Sequence, residues 1–530
     1  MVCTEADKMK SSAEMNDSYM IKKRYFRGLV GVAVGGVAVG VLTVILATTI
    51  VFIQRAYPKP LEDEEGDPVV SIAKGTLKGV RERSVGGRSI LSFYAIPFAR
   101  PPLGELRFQD PVEEEAWMGV RNASRQPEPC LQISFQNLKD GVMTEEHVVG
   151  SEDCLYLNVF TPKVGVGVEV PVMVFLHGGG YLAGAAHLFL PHLLLDHQVV
   201  LVVPQFRLGA IGFMSTEDDV MSGNYMLKDQ LAALRWVRRH IRHFGGDPHR
   251  VTLFGQSAGG SSTNILVLSP KAQGLFSRVI LHSGTVLSPF NLGRRHREVA
   301  EDTASRLPSG ESENSPGGGL HKNGPLSLML KDDDPDPLTK AAAIYQYYLG
   351  RDMDFELSDN LTQLYTDYFF GVPSDMVALA HAACARPYRQ TFLFELTYRG
   401  ERSVSDLSNA TVGKDWVIHG DDLLYLFPVE ALREGLQPLA SSEDFALRDY
   451  MTKLWVNFAY TGNPTPDASL GFTWDAVEED KLNYLALTPS PTMKPDYRSK
   501  VREFYRTVLP ERNEFMKKLT ALKRCMQLIE

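Results

Sequence analysis

The chain has no stripe of lysine and arginine residues interleaved with aromatic residues, and its net charge of −9 over 530 residues is mild. A nucleic-acid-binding surface normally requires a clustered basic patch, so the composition argues against a nucleic-acid partner. Residues 68–510 also contain no sequence repeat and no long linker. Their one interruption is a segment rich in glycine, serine and proline at 308–325. We therefore expect residues 68–510 to form one domain.

Charge is also absent from residues 28–53, an apolar run of 26 residues. A membrane-spanning helix needs about 20 such residues. Four basic residues lie at positions 22–27, whereas an acidic stretch follows at 62–67. By the positive-inside rule, residues 1–27 stay in the cytoplasm, and the chain beyond the run faces the lumen or the exterior.

The alternative interpretation of this run is a cleaved signal peptide. The apolar region of a signal peptide is usually about 7–15 residues and follows a short basic start. Here the run is longer and begins well into the chain. We therefore predict a single-pass type II membrane protein with a signal-anchor helix at 28–53, an acidic stalk at 54–67 and an exoplasmic domain.

Cysteine is scarce, with five residues in the whole chain. Cys130 and Cys154 both lie on the predicted exoplasmic side and could pair in an oxidising compartment. The same side carries three Asn-X-Ser/Thr sequons. Sequons also occur by chance, but this topology makes them predicted glycosylation sites: Asn122, Asn360 and Asn409.

Strand-like and helix-like runs alternate through the middle of the chain. The runs at 172–176 and 199–204 are apolar and β-branched, which is typical of strands buried on both faces. Residues 224–244 then place apolar side chains at helical spacing, and 251–254 and 279–281 are again strand-like. This order predicts an α/β fold with a mostly parallel central sheet between two layers of helices. At the C-terminus, residues 511–530 are predicted to form a basic amphipathic helix.

The segment GQSAG at residues 255–259 matches the pattern G-x-S-x-G. It lies between a strand-like run and a helix start made of small residues, where a nucleophile elbow is expected. The pattern alone arises by chance, but the preceding strand argues against that alternative. Ser257 is therefore a candidate nucleophile.

The segment HGGGY at residues 177–181 follows directly on the strand predicted at 172–176. Backbone N–H groups of such a loop, together with the one after the nucleophile, stabilise a tetrahedral oxyanion. The alternative is an ordinary glycine-rich turn. Its place after a strand and before the serine motif favours the oxyanion loop.

Several further segments resemble the type-B carboxylesterase/cholinesterase family over about residues 68–510. They are EDCLYLNV at 152–159, PFARPPLGELRF at 97–108, RLGAIGF at 207–213 and FGGDP at 244–248.

The resemblance implies an α/β-hydrolase fold, here preceded by a single N-terminal transmembrane helix. It also implies that Ser257 is the acyl-forming nucleophile and that Cys130 and Cys154 form a disulfide. The oxyanion donors that it implies are Gly179, Gly180 and Ala258.

Five histidines follow Ser257, and only His419 comes after a strong strand-like run, at 391–397. Its context, HGDDL, is similar to the family's histidine loop, so His419 is the candidate base. A solvated surface histidine is the alternative. In the family the positions of Asp421 and Asp422 lie beside this loop and do not supply the catalytic acid.

The catalytic acid itself is missing from the pattern. In the family it is a glutamate in a stretch like G-V-N-S-x-E-G, and the best match here puts Gly317 at that position. No strand-like run occurs between 279–281 and 391–397 either. Three explanations remain open: a splice form or gene model lacking an exon, a member that has lost hydrolysis, or substitution by a nearby carboxylate such as Glu313.

The sequence therefore predicts a serine hydrolase of small carboxylic esters that needs no metal and no cofactor, with activity impaired by the missing acid. In cholinesterases an aromatic residue in the loop between two cysteines binds the quaternary ammonium of the substrate. No tryptophan lies between Cys130 and Cys154 here, so acetylcholinesterase activity is not expected. Gln256, where many relatives carry glutamate, resembles juvenile hormone esterases. The alternative function is a catalytically inactive, neurotactin-like adhesion or binding protein with a protein partner.

Overall fold

The computed structural model describes most of the domain predicted at 68–510. The described residues are 66–134, 147–167, 169–291, 297, 325, 327–330, 335–351, 358–385, 389–407, 413–432, 435–478 and 481–510. The predicted anchor at 28–53, Glu313, Gly317, Asn409 and the predicted helix at 511–530 lie outside them. Within the described residues, no helix is long and apolar enough to cross a membrane.

The chain divides into two units. One comprises Met1–Glu62 with Val85–Gly87, of which only the last three residues are described. The fold below is that of the other, Asp63–Ser84 with Arg88–Glu530.

Fifteen strands are present in the described part of the chain. They are β1 Val69–Ile72, β2 Gly75–Lys78, β3 Val80–Arg83, β4 Ser89–Pro97, β5 Val120–Asn122, β6 Gln132–Ile133, β7 Val148–Val149, β8 Tyr156–Thr161, β9 Val170–Leu176, β10 Val200–Pro204, β11 Gly246–Gln256, β12 Arg278–His282, β13 Phe394–Leu396, β14 Tyr484–Leu487 and β15 Thr492–Lys494.

The helices of the same residues include one π-helical segment, Asp367–Gly371, and several short 3₁₀ turns, among them Pro289–Asn291, Val404–Leu407 and Asp421–Tyr425. The α-helices are α1 Gly209–Phe213, α2 Tyr225–His240, α3 Ala258–Leu268, α4 Pro337–Leu349, α5 Ser358–Thr366, α6 Val372–Ala385, α7 Val429–Leu432, α8 Ser442–Thr461 and α9 Ser499–Val508.

The central sheet has seven strands in the order β12-β11-β9-β10-β8-β4-β3. The pairs β12–β11, β11–β9 and β9–β10 are parallel. The pairs β10–β8, β8–β4 and β4–β3 are antiparallel. The prediction of a mostly parallel sheet is therefore wrong for one half, because β3 and β4 are consecutive antiparallel strands and β8 runs against both its neighbours. The parallel half carries the candidate site.

The strands β9 and β10, at the middle of the sheet, are buried on both faces, as their sequences predict. In β9, Val172 and Val174 pack into one hydrophobic cluster, whereas Met173 and Phe175 pack into the cluster on the opposite face. All four side chains have 0% exposure. Each contributes about 1.5–3 kcal/mol through burial, which fixes the register of the strand that leads into the glycine loop.

A second, three-stranded sheet follows in the order β13-β14-β15. The strand predicted at 391–397 is shorter in the structure, Phe394–Leu396, and it forms a ladder only with β14. One paired edge supports a shorter ladder than two would. Between β12 and β13 the described residues form helices and turns and no strand.

Cys130 and Cys154 form a disulfide, as the resemblance implied. Both cysteines are buried against the first hydrophobic cluster. Asn122 at the end of β5 and Asn360 in α5 are exposed, so both remain accessible as predicted glycosylation sites.

Candidate active site

Ser257 forms the sharp turn between β11, which ends at Gln256, and α3, which begins at Ala258. Its backbone has φ 58° and ψ −124°, a combination that non-glycine residues rarely adopt. The N–H of Ser257 donates to the carbonyl oxygen of His282 at the end of β12, over 2.8 Å. This is the geometry of a nucleophile elbow, in which the turn presents the hydroxyl above the strand ends.

Glycines on either side of the turn allow backbone segments to approach very closely. A Cβ atom on Gly259 would lie 2.0 Å from the carbonyl oxygen of Leu176 in β9. A Cβ atom on Gly178 would lie 2.9 Å from the Cβ of Ser257 and 2.7 Å from the carbonyl oxygen of Gln256. The glycine loop therefore lies directly against the elbow, and these positions admit no side chain.

The predicted oxyanion donors face the same region. Gly179 and Gly180 have positive φ angles of 108° and 61°. None of the backbone N–H groups of Gly179, Gly180 and Ala258 donates to another described residue. Ala258 is the first residue of α3, so its N–H has no partner within the helix. All three N–H groups are thus available to an oxyanion.

His177, the first residue of the loop, has a structural role. Its buried ring stacks on Phe206 at 4.2 Å between ring centres, and its Nδ1 lies 2.9 Å from the carbonyl oxygen of Gly178. Burial lowers the pKa of His177 to about 4, so the ring is neutral and its Nδ1–H donates to that carbonyl. The histidine therefore fixes the start of the glycine loop.

His419 lies just before the 3₁₀ turn Asp421–Tyr425. Its Nε2 atom is 3.2 Å from Nε2 of Gln256, and its ring stacks on Phe370 at 4.7 Å. No hydrogen bond joins it to the hydroxyl of Ser257 among the described residues. Because the Gln256 amide donates to Nε2, the ring proton is on Nδ1, which is the tautomer that a general base for Ser257 requires. Gln256 thus occupies the nitrogen that would accept the serine proton.

The two aspartates after His419 are engaged elsewhere. Asp421 accepts hydrogen bonds from the backbone N–H groups of Ile418 and Val404, at 3.0 and 2.8 Å. Asp421 therefore holds the histidine loop in shape. No carboxylate of the described residues accepts a hydrogen bond from His419, and Glu313 lies outside those residues.

Asp422 belongs to a buried chain of hydrogen bonds. Its Oδ2 lies 2.6 Å from Nδ1 of His282, and the indole N–H of Trp455 donates to Nε2 of His282 at 2.8 Å. His282 therefore carries its proton on Nδ1 and donates it to Asp422. This arrangement fixes the side chain of Asp422 close enough to act on His419 electrostatically.

His419 lines a large cavity and is accessible to solvent from it, although protein atoms surround the ring on the other sides. That environment lowers the pKa of His419 below its ordinary value, and the nearby Asp422 carboxylate opposes the shift. The ring is consequently neutral at neutral pH, as a proton acceptor must be.

Aromatic residues that the sequence did not single out connect the glycine loop with His419. Tyr181 contacts Phe213 and Phe290, with ring centres 5.2 and 6.3 Å apart. Phe290 is 6.4 Å from Phe370, which stacks on His419. All four aromatic side chains are half-buried. They form an apolar wall between Tyr181 of the glycine loop and His419, and no local pattern in the sequence predicts this wall.

In the described segments, no group of histidine, cysteine, aspartate and glutamate side chains is arranged to hold a metal ion.

Comparison with known proteins gives one family throughout. The profile of the carboxylesterase family matches residues 66–317 and 320–505. Carboxylesterase 1E of Mus musculus is 32% identical, with 75% of this chain and 86% of the relative covered. Pyrethroid hydrolase Ces2a of the same species is 29% identical, with 86% of this chain and 94% of the relative covered.

Among solved structures, the juvenile hormone esterase of Manduca sexta superposes with a TM-score of 0.68 at 25% identity. It covers 84% of this chain and is itself covered completely. Since the family profile spans nearly the whole described domain and the fold agrees with that of a solved esterase, this chain belongs to the carboxylesterase family.

Proposed function

We propose that the protein is a serine hydrolase of small carboxylic esters. The observation that carries the proposal is Ser257 in a positive-φ turn, pressed against a glycine loop whose N–H groups have no other described acceptor. A buried structural serine requires neither the unusual turn nor the unpaired N–H groups.

The reaction follows from this placement. Ser257 Oγ attacks the ester carbonyl carbon while its proton passes to Nε2 of His419, once Gln256 has released that nitrogen. The N–H groups of Gly179, Gly180 and Ala258 hold the resulting oxyanion. The C–O bond to the alcohol breaks as His419 returns the proton to the leaving oxygen. Water, deprotonated by His419, then attacks the carbonyl carbon of the acyl-enzyme. The bond between that carbon and Ser257 Oγ breaks, His419 returns the proton to Oγ, and the carboxylic acid leaves.

The aromatic wall of Tyr181, Phe213, Phe290 and Phe370 favours esters with an apolar acyl or alcohol part. Related enzymes are named for the hydrolysis of pyrethroids and acylcarnitines and for juvenile hormone. An uncharged ester such as p-nitrophenyl butyrate is therefore the first substrate to test.

The test is covalent labelling of the full-length chain with a fluorophosphonate probe, followed by mass spectrometry of the labelled peptide. We expect the adduct on Ser257, together with loss of p-nitrophenyl butyrate turnover. A folded protein that shows neither labelling nor turnover would contradict the hydrolase and leave a binding role.

We further propose that the basal activity is weak. The Nδ1–H of His419 has no carboxylate acceptor among the described residues, and in a serine protease triad the loss of the acid lowers kcat by about 10⁴-fold. Asp422 is the carboxylate that acts on His419 electrostatically, so it supplies part of what a hydrogen-bonded acid would give.

Replacing Asp422 with asparagine is expected to move the acid limb of the kcat/KM–pH profile to lower pH. The Asp422 carboxylate raises the pKa of His419, so its removal lowers that pKa further, and the ring becomes a competent base at lower pH. The plateau should also fall, because the imidazolium formed during proton transfer loses a stabilising charge. Asparagine retains an oxygen that accepts from His282, which preserves the buried hydrogen-bond chain.

The matched control is Asp415→Asn. Asp415 lines the same cavity as His419, but its charge does not contribute to the pKa shift of His419. Its profile should overlay that of the unmodified protein. An acid limb that stays in place in the Asp422 variant would show that this carboxylate does not act on the base.

Finally, we propose a type II topology with the hydrolase domain on the exoplasmic side. The uncharged run at 28–53 and its basic N-terminal flank support this topology. In microsomes, the full-length chain should resist extraction by alkaline carbonate and should carry glycans that endoglycosidase removes. Release by carbonate would contradict an anchor.

A further inference from the structure

Two strand edges border the same cavity without a described strand between them. β12 pairs with β11 alone, and β13 pairs with β14 alone. Every residue of β10 is buried, whereas four of the five residues of β12 and all three of β13 are only half-buried. Solvent-facing edges are normally short, charged or covered. The apolar residues of β12, which include Val279 and Ile280, are typical instead of a central strand.

A cavity of about 1430 Å³ separates the two edges. Its walls include Arg278–Leu281 on one side and Thr391–Thr397 on the other, and the helices α3 and α8 contribute further apolar walls. Pockets for small molecules are typically about 300–1,000 Å³. Ser257 and the loop 178–180 do not belong to the lining, whereas His419 and Phe370 do, so the cavity adjoins the ester site on the side of the histidine. Its dimensions and its two backbone edges suit an extended polypeptide segment.

The proton on Nδ1 of His419 requires a hydrogen-bond acceptor at this cavity. His419 lines the cavity, and none of the described carboxylates accepts that proton. An occupant that places a carboxylate beside the ring would form the hydrogen bond that orients a catalytic histidine and stabilises its imidazolium form.

The relatives provide a reason for an occupant from outside the chain. The alignment with the mouse pyrethroid hydrolase is 539 residues long, yet it covers only 86% of this chain of 530 residues. The relative therefore contains residues for which this chain has no counterpart. Material that the relative holds within its own chain is thus missing from this one.

We propose that the cavity between β12 and β13 is a slot for one β-strand, and that it binds an extended apolar segment of another polypeptide with a carboxylate side chain beside His419. The segment would form backbone hydrogen bonds with both edges and join the two sheets. Since both faces of the new strand would be covered, it should be rich in valine, isoleucine and leucine. The effect of the carboxylate on hydrolysis rests on the proposed function, whereas binding of the strand does not.

The probe is a synthetic peptide with about six valine and isoleucine residues. It ends in glycine and glutamate and has lysines at both ends for solubility. A matched peptide carries glutamine in place of glutamate. Hydrogen–deuterium exchange of the full-length chain would report binding. Both peptides are expected to slow exchange at β12 and β13 and to leave exchange at β9 unchanged. Leu396→Lys, which puts a charge into the slot, should abolish this protection and leave fluorophosphonate labelling of Ser257 intact.

Ester hydrolysis provides the second readout. Loss of a triad acid costs about 10⁴-fold in kcat, so the glutamate peptide should raise kcat/KM at least about 100-fold, and the glutamine peptide should not. Equal effects of the two peptides on the rate would overturn the role of the carboxylate.

The exchange measurement decides the slot independently of activity. Protection by neither peptide would overturn the slot even if the protein hydrolyses esters. Exchange at β12 and β13 that is already as slow as at β9 in the free protein would also overturn it, because the chain itself would then fill the cavity. Protection without any Ser257-dependent turnover would support the slot and contradict the proposed hydrolase.

Discussion

Replacing Ser257 with alanine is expected to lower kcat for p-nitrophenyl butyrate by about 10²-fold, far less than in a complete triad. In subtilisin, removal of the serine costs about 2 × 10⁶ and removal of the acid alone about 3 × 10⁴, and these losses do not add. A site that already lacks its acid therefore retains only about 10² of serine-dependent rate to lose. The measurement is the initial rate of p-nitrophenol release by the full-length chain.

Ser269→Ala is a suitable control, because Ser269 lies at the far end of α3 from the elbow. Its rate should match that of the unmodified chain. A loss near 10⁶ in the Ser257 variant would show that an acid is supplied after all, with Glu313 the next position to mutate. Unchanged turnover would remove Ser257 from the mechanism.

Replacing Asp229 with alanine is expected to lower the free energy of unfolding by about 3–5 kcal/mol. The side chains of Arg207 and Asp229 have 1% and 0% exposure. Arg207 donates to both carboxylate oxygens, at 2.8 and 2.7 Å, and its backbone N–H donates to the same group at 3.1 Å. Without Asp229, a buried guanidinium would keep the carbonyl oxygen of Gln109 as its acceptor. Urea unfolding followed by tryptophan fluorescence would measure the loss.

Two further variants distinguish the loss of a buried ion pair from the loss of any ion pair. Asp67 pairs with Lys78 at 2.8 Å on the surface, where solvent screens the charges, so Asp67→Ala should cost far less stability than Asp229→Ala. The double variant Arg207→Met/Asp229→Leu should recover most of the stability, because it removes both buried charges. An Asp229 variant no less stable than the Asp67 variant would contradict the expected cost.

The buried pair of Arg207 and Asp229 also supports the candidate active site. It holds the segment after β10, in which the N–H of Gly209 donates to the carbonyl oxygen of Tyr181 at 2.8 Å. Tyr181 ends the HGGGY segment. Loosening this contact should therefore reduce serine labelling along with stability.

Local signals in the sequence were sufficient for the elbow, the glycine loop and the buried parallel strands. Ser257 and the strand before it form one continuous segment, so a short window contains all that their geometry requires. The disulfide needed the family resemblance, because spacing alone does not determine which cysteines pair.

Other features depend on contacts between distant segments. Phe290 lies in a 3₁₀ turn and Phe370 in the π-helical segment 80 residues later, and only the folded chain brings them between Tyr181 and His419. The contact of Gln256 with His419 joins residues 163 positions apart. The antiparallel half of the sheet was missed because strand direction is set by connections and not by the composition of each strand.

The close approach of α3 to β9 means that part of the G-x-S-x-G motif is required for folding and not for catalysis. Gly259 is required because any side chain there would collide with the backbone of Leu176, and this requirement has nothing to do with hydrolysis. A related protein without catalytic activity would still need that glycine to fold. It could replace the serine at little cost to packing. When members of this family are compared, the second glycine of G-x-S-x-G therefore indicates the architecture, whereas the serine indicates the chemistry.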